Sequence, residues 1–291
     1  MEKEPKLIQL DIACGKRKKS GFTGVDLWHG ADVIVDLEKF PWPFADESVD
    51  EIYCSHYIEH TPDLVSFANE LYRIMKVGAT AEIIAPYYSS IRAWQDPTHL
   101  RAISENTFLY FNKKWRLINK LDHYPIFADF DYECQFILDD NWKDIKGDEL
   151  RFAMKHNINV ISDIQAVITK RIKCDDAKEL LLQGSSDMWN IGRFEQAVEV
   201  CNMLMERGEE VFDVYMMLAE YEYMKGDFLK SIGLFKKALT KDNEAIEAHS
   251  GLVRALSASG QTVAAQNHVN SIRKYDNELA DLVLNVMKLT T

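Results

Sequence analysis

Along the first two thirds of the chain, apolar residues come in short runs that close on an acid. Leu7-Ile8-Gln9-Leu10-Asp11-Ile12-Ala13-Cys14-Gly15 is the first, Gly24-Val25-Asp26 ends the second, and Asp32-Val33-Ile34-Val35-Asp36 is the third. Such runs fit buried parallel strands that deliver ligand-binding turns at their carboxyl ends. Three acids are therefore expected along one edge. Ser48 to Cys54 and Thr80 to Ala85 predict two more strands. Between them Leu64, Phe67, Leu71 and Ile74 recur at helical spacing, with Pro62-Asp63 ahead and Gly78 behind, which predicts a helix over Asp63 to Lys76. Phe130 to Leu138 and Val160 to Ile172 alternate like a closing pair of strands. Strands and helices alternating in this way make a doubly wound α/β plan.

The last third follows a different period. Gly192, Gly226 and Gly260 are spaced by 34 residues, and the small residues Ala197, Ser231 and Ala265 keep that spacing. A helical stretch precedes the turn, as in Val214 to Tyr221, and another follows it, as in Ile232 to Leu239. This pattern of helix, tight turn, helix resembles tetratricopeptide repeats over roughly 178–291. The middle copy is nearest the family pattern, and the third departs from it at Thr262, where an aromatic is usual. The resemblance implies stacked helix pairs offering a surface for a protein partner or for self-association, the bland alternative being an extension that only stabilises. Two domains are expected, 1–175 and 176–291.

Composition narrows the class. With 291 residues, 47% of them apolar, the chain can fill two cores, and no apolar stretch approaches the roughly eighteen residues of a membrane helix. The opening Met1-Glu2-Lys3-Glu4-Pro5-Lys6 is charged and lacks the apolar centre of a secretory signal, so a soluble, cytoplasmic protein is expected. Cys14, Cys54, Cys134, Cys174 and Cys201 are scattered without a CxxC pair, as small buried hydrophobes would be. The net charge of −12 is shared evenly between the two domains. Neither has the basic excess of a nucleic-acid footprint, so no nucleic-acid or membrane partner is expected.

The blocks Leu10-Asp11-Ile12-Ala13-Cys14-Gly15, Gly21-Phe22-Thr23-Gly24-Val25-Asp26, Val35-Asp36-Leu37-Glu38, Pro41 to Ile52, Glu59-His60 and Glu70 to Gly78 resemble, in order and spacing, class I methyltransferases that use S-adenosylmethionine, of the compact-loop, type 11-like kind. The likeness covers about 8–110, and the closing strands extend it to about 173. It implies a Rossmann-like sheet with helices on both faces and S-adenosylmethionine as cofactor. It also implies that Asp11, Ala13, Cys14 and Gly15 form the turn beside the amino-acid part of the cofactor, and that Asp26 and Leu27 hold the ribose. Asp36 and Leu37 would flank the adenine, with Ser55, His56 and Tyr57 beside the sulfonium methyl. One departure is that Lys16-Arg17-Lys18-Lys19-Ser20 replaces most of the first helix, as a solvated loop or as an attraction for an anionic substrate.

The acceptor side is expected after the fifth strand, at Tyr87, Asp96, His99 and Arg101. His99, Tyr87 and His56 are the candidate catalytic residues, although Asp96 capping a turn with His99 bonded to it is the simpler reading. His56-Tyr57-Ile58-Glu59-His60 matches the inverted zinc-peptidase pattern H-x-x-E-H, which needs a sustained helix that Pro62 disfavours. No metal is therefore expected. The implied activity is methyl transfer to an O or N atom of a small-molecule, sugar or peptide acceptor. The alternative is a non-catalytic scaffold built on the same fold.

Overall fold

A computed structural model describes the backbone of residues 7–290 and the side chains of 7–285; the charged opening, Met1 to Lys6, lies outside them. The chain divides into two compact units, Met1–Cys174 and Asp175–Thr291.

The first unit is a seven-stranded sheet formed by β1 (Gln9–Ile12), β2 (Thr23–Asp26), β3 (Val33–Ile34), β4 (Val49–Ser55), β5 (Met75–Pro86), β6 (Phe130–Leu138) and β7 (Ile161–Lys170). Their spatial order is β3-β2-β1-β4-β5-β7-β6. The pairs from β3 through to β5 are parallel, and β7 runs antiparallel to β5 and to β6. This is the expected Rossmann-like plan. The central strands bury one face through Leu10, Ile12, Ile52, Cys54, Ile83 and Ala85, which register side by side, while Tyr53, Glu82 and Ile84 at the alternate positions stay partly exposed.

The flanking helices are α1 (Leu64–Ile74), α2 (Arg92–Gln95), α3 (Glu105–Leu109), α4 (Lys113–Ile118) and α5 (Gly147–His156). Asp63 caps α1, its carboxylate accepting from the Ser66 N–H at 2.9 Å and the Ser66 hydroxyl at 2.6 Å. Phe67, Leu71 and Ile74 face the core as the periodicity predicts. The expected helix overran its end, because Met75 pairs with Val49 and opens β5 one residue after Ile74. Gly78, with φ +79°, therefore lies inside the strand where the β4–β5 register shifts, and does not cap the helix. The third run forms a two-residue strand, since beyond Ile34 the chain is held by the Val35 N–H donating to the Asp26 carbonyl.

No helix joins β1 to β2, β2 to β3 or β3 to β4. The basic run packs the first of these connections. Lys19 donates its backbone N–H to Asp11 (2.6 Å) and its ammonium to Glu82 (2.8 Å), and lies over the rings of Phe22 and Tyr53; Lys18 pairs with Asp32 at 2.6 Å. The loop is a braced substitute for a helix, neither freely solvated nor a spare basic patch at Lys18 and Lys19. In the Glu70-Leu71-Tyr72-Arg73 block, Glu70 accepts from the Trp42 N–H and from Arg73, both at 2.6 Å. Arg73 donates in turn to the Trp42 and Phe44 carbonyls, fastening the proline-rich segment before β4 to α1. Of the cysteines, Cys14, Cys54 and Cys201 are buried, whereas Cys134 and Cys174 are partly exposed because they lie toward the margins of the unit.

The second unit consists of α6 (Ala177–Asn190), α7 (Phe194–Glu206), α8 (Phe212–Met224), α9 (Phe228–Lys241), α10 (Ile246–Ala258), α11 (Thr262–Arg273) and α12 (Asn277–Thr290). The periodic glycines have φ of +77°, +83° and +80°, and the N–H after each reaches back to close the preceding helix (Arg193 to Met188, Asp227 to Glu222, Gln261 to Leu256). The small residues of the period, Ala197, Ser231 and Ala265, are buried between helices. Aromatic pairs latch the first two turns, Trp189 on Phe194 and Tyr223 on Phe228. Ser257 and Thr262 stand at the equivalent positions of the third, so its departure from the pattern removes both rings.

Two predictions follow from this packing. A Cβ on Gly251 would lie 2.3 Å from the Phe235 ring, so Gly251→Ala is expected to cost about 1–3 kcal/mol in urea unfolding, and an unchanged midpoint would refute the close approach. His249 donates from Nε2 to the Asn243 carbonyl and accepts at Nδ1 from His268 Nε2, each at 2.9 Å. Burial, with His249 and Lys236 nearby, lowers His268 to about 4. The unfolded chain takes up this proton near pH 6.5 and the folded chain only near 4. The contribution is complete above 6.5 and lost as pH falls to 4. His268→Gln should flatten the fall in Tm across that window; parallel curves would exclude this histidine as its source.

Candidate functional site

The strand order positions the site. The chain leaves β1 for β2 and β3 on one side and returns to β4 on the other, so the carboxyl ends of β1 and β4 part into a crevice. Ala13 and Gly15 leave β1 with φ of +59° and +50°, and His56 leaves β4 with +55°. Left-handed backbone at Ala13 and His56 is disfavoured, and it is held here by the Ala13 N–H on the Val25 carbonyl and the His56 N–H on the Ile84 carbonyl, both 2.8 Å.

Asp26 closes the turn. Its Oδ2 accepts from the Gly15 N–H at 2.9 Å and its Oδ1 from the Trp28 N–H at 2.8 Å. Each oxygen retains a second lone pair for a ligand. Asp36 accepts from the Glu38 N–H at 3.2 Å and pairs with Lys39 at 3.0 Å; the Lys39 ammonium first, then that N–H, holds its carboxyl below the ordinary carboxylate range. A cavity of about 340 Å³ is lined by Ala13, Asp26, Leu27, Asp36, Leu37, Glu38 and Tyr57. Burial pushes the Tyr57 phenol up to about 12, so it presents a neutral ring.

Six of the residues expected at the cofactor thus line one cavity: Ala13, Asp26, Leu27, Asp36, Leu37 and Tyr57. Asp11 is buried behind the turn with its carboxylate on the Lys19 N–H, and burial raises it above the ordinary range. Cys14 is buried beside it, and Gly15 supplies the N–H bound by Asp26. Ser55 and His56 end β4 away from the cavity lining. Glu38 was not singled out by the sequence, although its place directly after Asp36-Leu37 was the available signal.

The residues expected on the acceptor side go to separate partners. Tyr87 is buried and donates to Glu105 at 2.9 Å, and burial followed by that carboxylate raises its phenol far above the usual range. Asp96 caps a turn through the Thr98 N–H (2.8 Å) and hydroxyl (2.7 Å). The His99 ring bonds the Ala93 carbonyl at 3.1 Å, with Nε2 4.0 Å from Asp96, too far for the hydrogen bond of the simpler reading. Arg101 donates to the Pro62 carbonyl. His56 is more open, its Nδ1 3.3 Å from Glu59 and its Nε2 4.0 Å from Asp163. Asp163, buried and paired with Arg92, was missed. Because β7 is antiparallel, its start lies at the edge where the parallel strands end. The H-x-x-E-H segment is not a helix: His56 breaks it, and only one turn follows, from the Tyr57 carbonyl to the His60 and Thr61 N–H groups.

Comparison with known proteins agrees with this architecture. Residues 9–83 match the family described as "Methyltransferase domain" and residues 223–284 the family "Tetratricopeptide repeat". The chain carries a methyltransferase domain followed by tetratricopeptide repeats, and the cofactor of that domain is S-adenosylmethionine. No curated protein matches the chain. Among solved structures, a SAM-dependent methyltransferase from Archaeoglobus fulgidus is 19% identical with a TM-score of 0.40, over 56% of this chain and 86% of its own. An S-adenosylmethionine-dependent methyltransferase from Mesorhizobium loti is 13% identical with a TM-score of 0.36, over 56% and 91%. The type III secretion translocator chaperone SycD of Yersinia enterocolitica is 13% identical with a TM-score of 0.32, over 40% and 96%.

The cavity suits this cofactor chemically. Two fixed carboxylates can accept from hydroxyls and an amine, while Leu27, Leu37 and Tyr57 offer apolar surface to a flat ring. No helix of the described residues is long and apolar enough to cross a membrane.

Proposed function

We propose that the N-terminal unit transfers a methyl group to an O or N atom of a small-molecule, sugar or peptide acceptor, and that the repeat unit docks the acceptor or a partner protein. The observation that carries this reading is the cavity at the strand-order reversal, with Asp26 braced by two backbone N–H groups and Asp36 beside it. Asp26 and Leu27 hold the ribose. Asp36 takes the adenine amine, with Leu37 against the ring. The Ala13-Cys14-Gly15 turn brings its backbone to the amino-acid portion, which is why small residues stand there. Ser55 and His56 face the methyl end.

S-adenosylmethionine supplies a methyl group activated by a sulfonium leaving group. Proximity and alignment provide much of the rate of such an in-line displacement, so the protein's main task is to hold the acceptor in line. His56 is the side chain placed to take the acceptor's proton, being the most open of the candidate groups, with the Glu59 and Asp163 carboxylates 3.3 Å and 4.0 Å from its ring nitrogens. Tyr87 and His99, tied to Glu105 and Ala93, shape the acceptor wall. The non-catalytic scaffold reading accounts for Asp26 as a brace of the turn but leaves the cavity that it lines with Asp36 unused.

Calorimetric titration with S-adenosylhomocysteine tests the assignment. Asp26→Ala is expected to weaken binding by about 1–3 kcal/mol. Because Asp26 also organises the turn, Asp36→Ala serves as the companion, expected to weaken binding without disturbing Gly15. Full affinity in both folded variants would refute the cavity as the cofactor site.

A further inference from the structure

At the acceptor wall lies a cluster, His99 among it, whose ligand atoms the proposed function leaves without a chemical role. One ligand atom each from Glu59, His60 and His99 falls within 4.8 Å of the others. Glu59 is 1% exposed, yet neither carboxylate oxygen has a hydrogen-bond partner among the described residues, the 3.3 Å approach of His56 being off hydrogen-bond geometry. A buried carboxylate without a partner is unfavourable unless a cation neutralises it.

The histidines are set up as ligands by what their other nitrogens do. His99 Nδ1 lies 3.1 Å from the Ala93 carbonyl, which only accepts, so Nδ1 carries the proton and Nε2 the lone pair. His60 Nδ1 lies 3.0 Å from the Thr98 hydroxyl and 3.3 Å from the Thr98 carbonyl. The Thr98 hydroxyl spends its own proton on Asp96 at 2.7 Å, so His60 Nδ1 is again the donor and Nε2 is bare. Fixing the tautomer of a ligating imidazole through a backbone carbonyl or hydroxyl is the usual supporting arrangement in metal sites. The rings meet edge to face at 4.6 Å, and the Leu100 N–H donates to the Glu59 carbonyl at 2.8 Å, so the loop after β4 and the loop after β5 are braced before any ion arrives. Asp96, 4.0 Å from His99 Nε2, adds a second negative charge nearby.

We propose that Glu59, His60 and His99 bind a divalent cation of the zinc class, two imidazoles and one carboxylate being a donor set that such ions favour. This is not the H-x-x-E-H pairing: His56, although its Nδ1 is 3.3 Å from Glu59, is outside the cluster, and His99, from a separate loop, takes its place. The ion would clamp the two loops that border the acceptor side.

The test uses tag-free full-length protein dialysed against a chelator and titrated with Zn²⁺, with metal content after gel filtration read by mass spectrometry. The expected result is one equivalent per chain and a raised Tm. His60→Ala and His99→Ala should each weaken binding at least about tenfold, while His56→Ala retains it. Circular dichroism establishes that each variant is folded. No saturable binding by folded wild type, or full affinity in either His60→Ala or His99→Ala, overturns the proposal. Binding of S-adenosylhomocysteine, measured on the same samples, separates this outcome from failure of the methyltransferase reading.

Discussion

The carboxylate of Asp26 is the point on which the N-terminal unit turns. By accepting one backbone N–H from the turn after β1 and another from the residues after β2, it fixes two strand ends to each other in a unit with no helix between them. No helix seats the turn; ion pairs of Lys18 and Lys19 and the buried Asp11 do so. Charged hydrogen bonds in a partly desolvated site are stronger than neutral ones, which suits them to a loop that lacks helical packing. The same bonds leave outward lone pairs on both Asp26 oxygens. Structural brace and ligand acceptor are thus one group.

How much of this was legible in the sequence depended on whether the information was local. The acids Asp26, which ends β2, and Asp36, two residues past β3, were visible because an apolar run followed by an acid has few other readings in a parallel sheet, and both reach the cavity. The periodic glycines were legible for a different reason: left-handed backbone at a helix end strongly favours glycine, so Gly192, Gly226 and Gly260 announce their geometry. Asp11 belongs to the same motif but braces the loop from behind, a distinction that depends on which N–H it meets.

What escaped was non-local. Gly78 looked like a helix stop because the register shift that uses it depends on pairing with β4. The short helices after β5 carry too few residues to show a period. Asp163 and Glu105 come to the acceptor side only through the antiparallel return of β7 and the bridge of Tyr87 to Ile103. The approach of His99 to Glu59 and His60 crosses about forty positions of sequence and rests on the Leu100 N–H to the Glu59 carbonyl and on the bonds of His60 to Thr98. The contiguous motif H-x-x-E-H holds Glu59 and His60 but gives no sign of His99, which only the fold brings to them.

The central claim is that the cavity between Ala13, Asp26 and Asp36 receives S-adenosylmethionine, and a crystal structure of the protein with S-adenosylhomocysteine tests it most directly. The account predicts ribose hydroxyls on Asp26, the adenine beside Asp36 and Leu37, and the homocysteine end over the Ala13-Cys14-Gly15 turn. Ligand density anywhere else, or an empty cavity at saturating ligand, would contradict it.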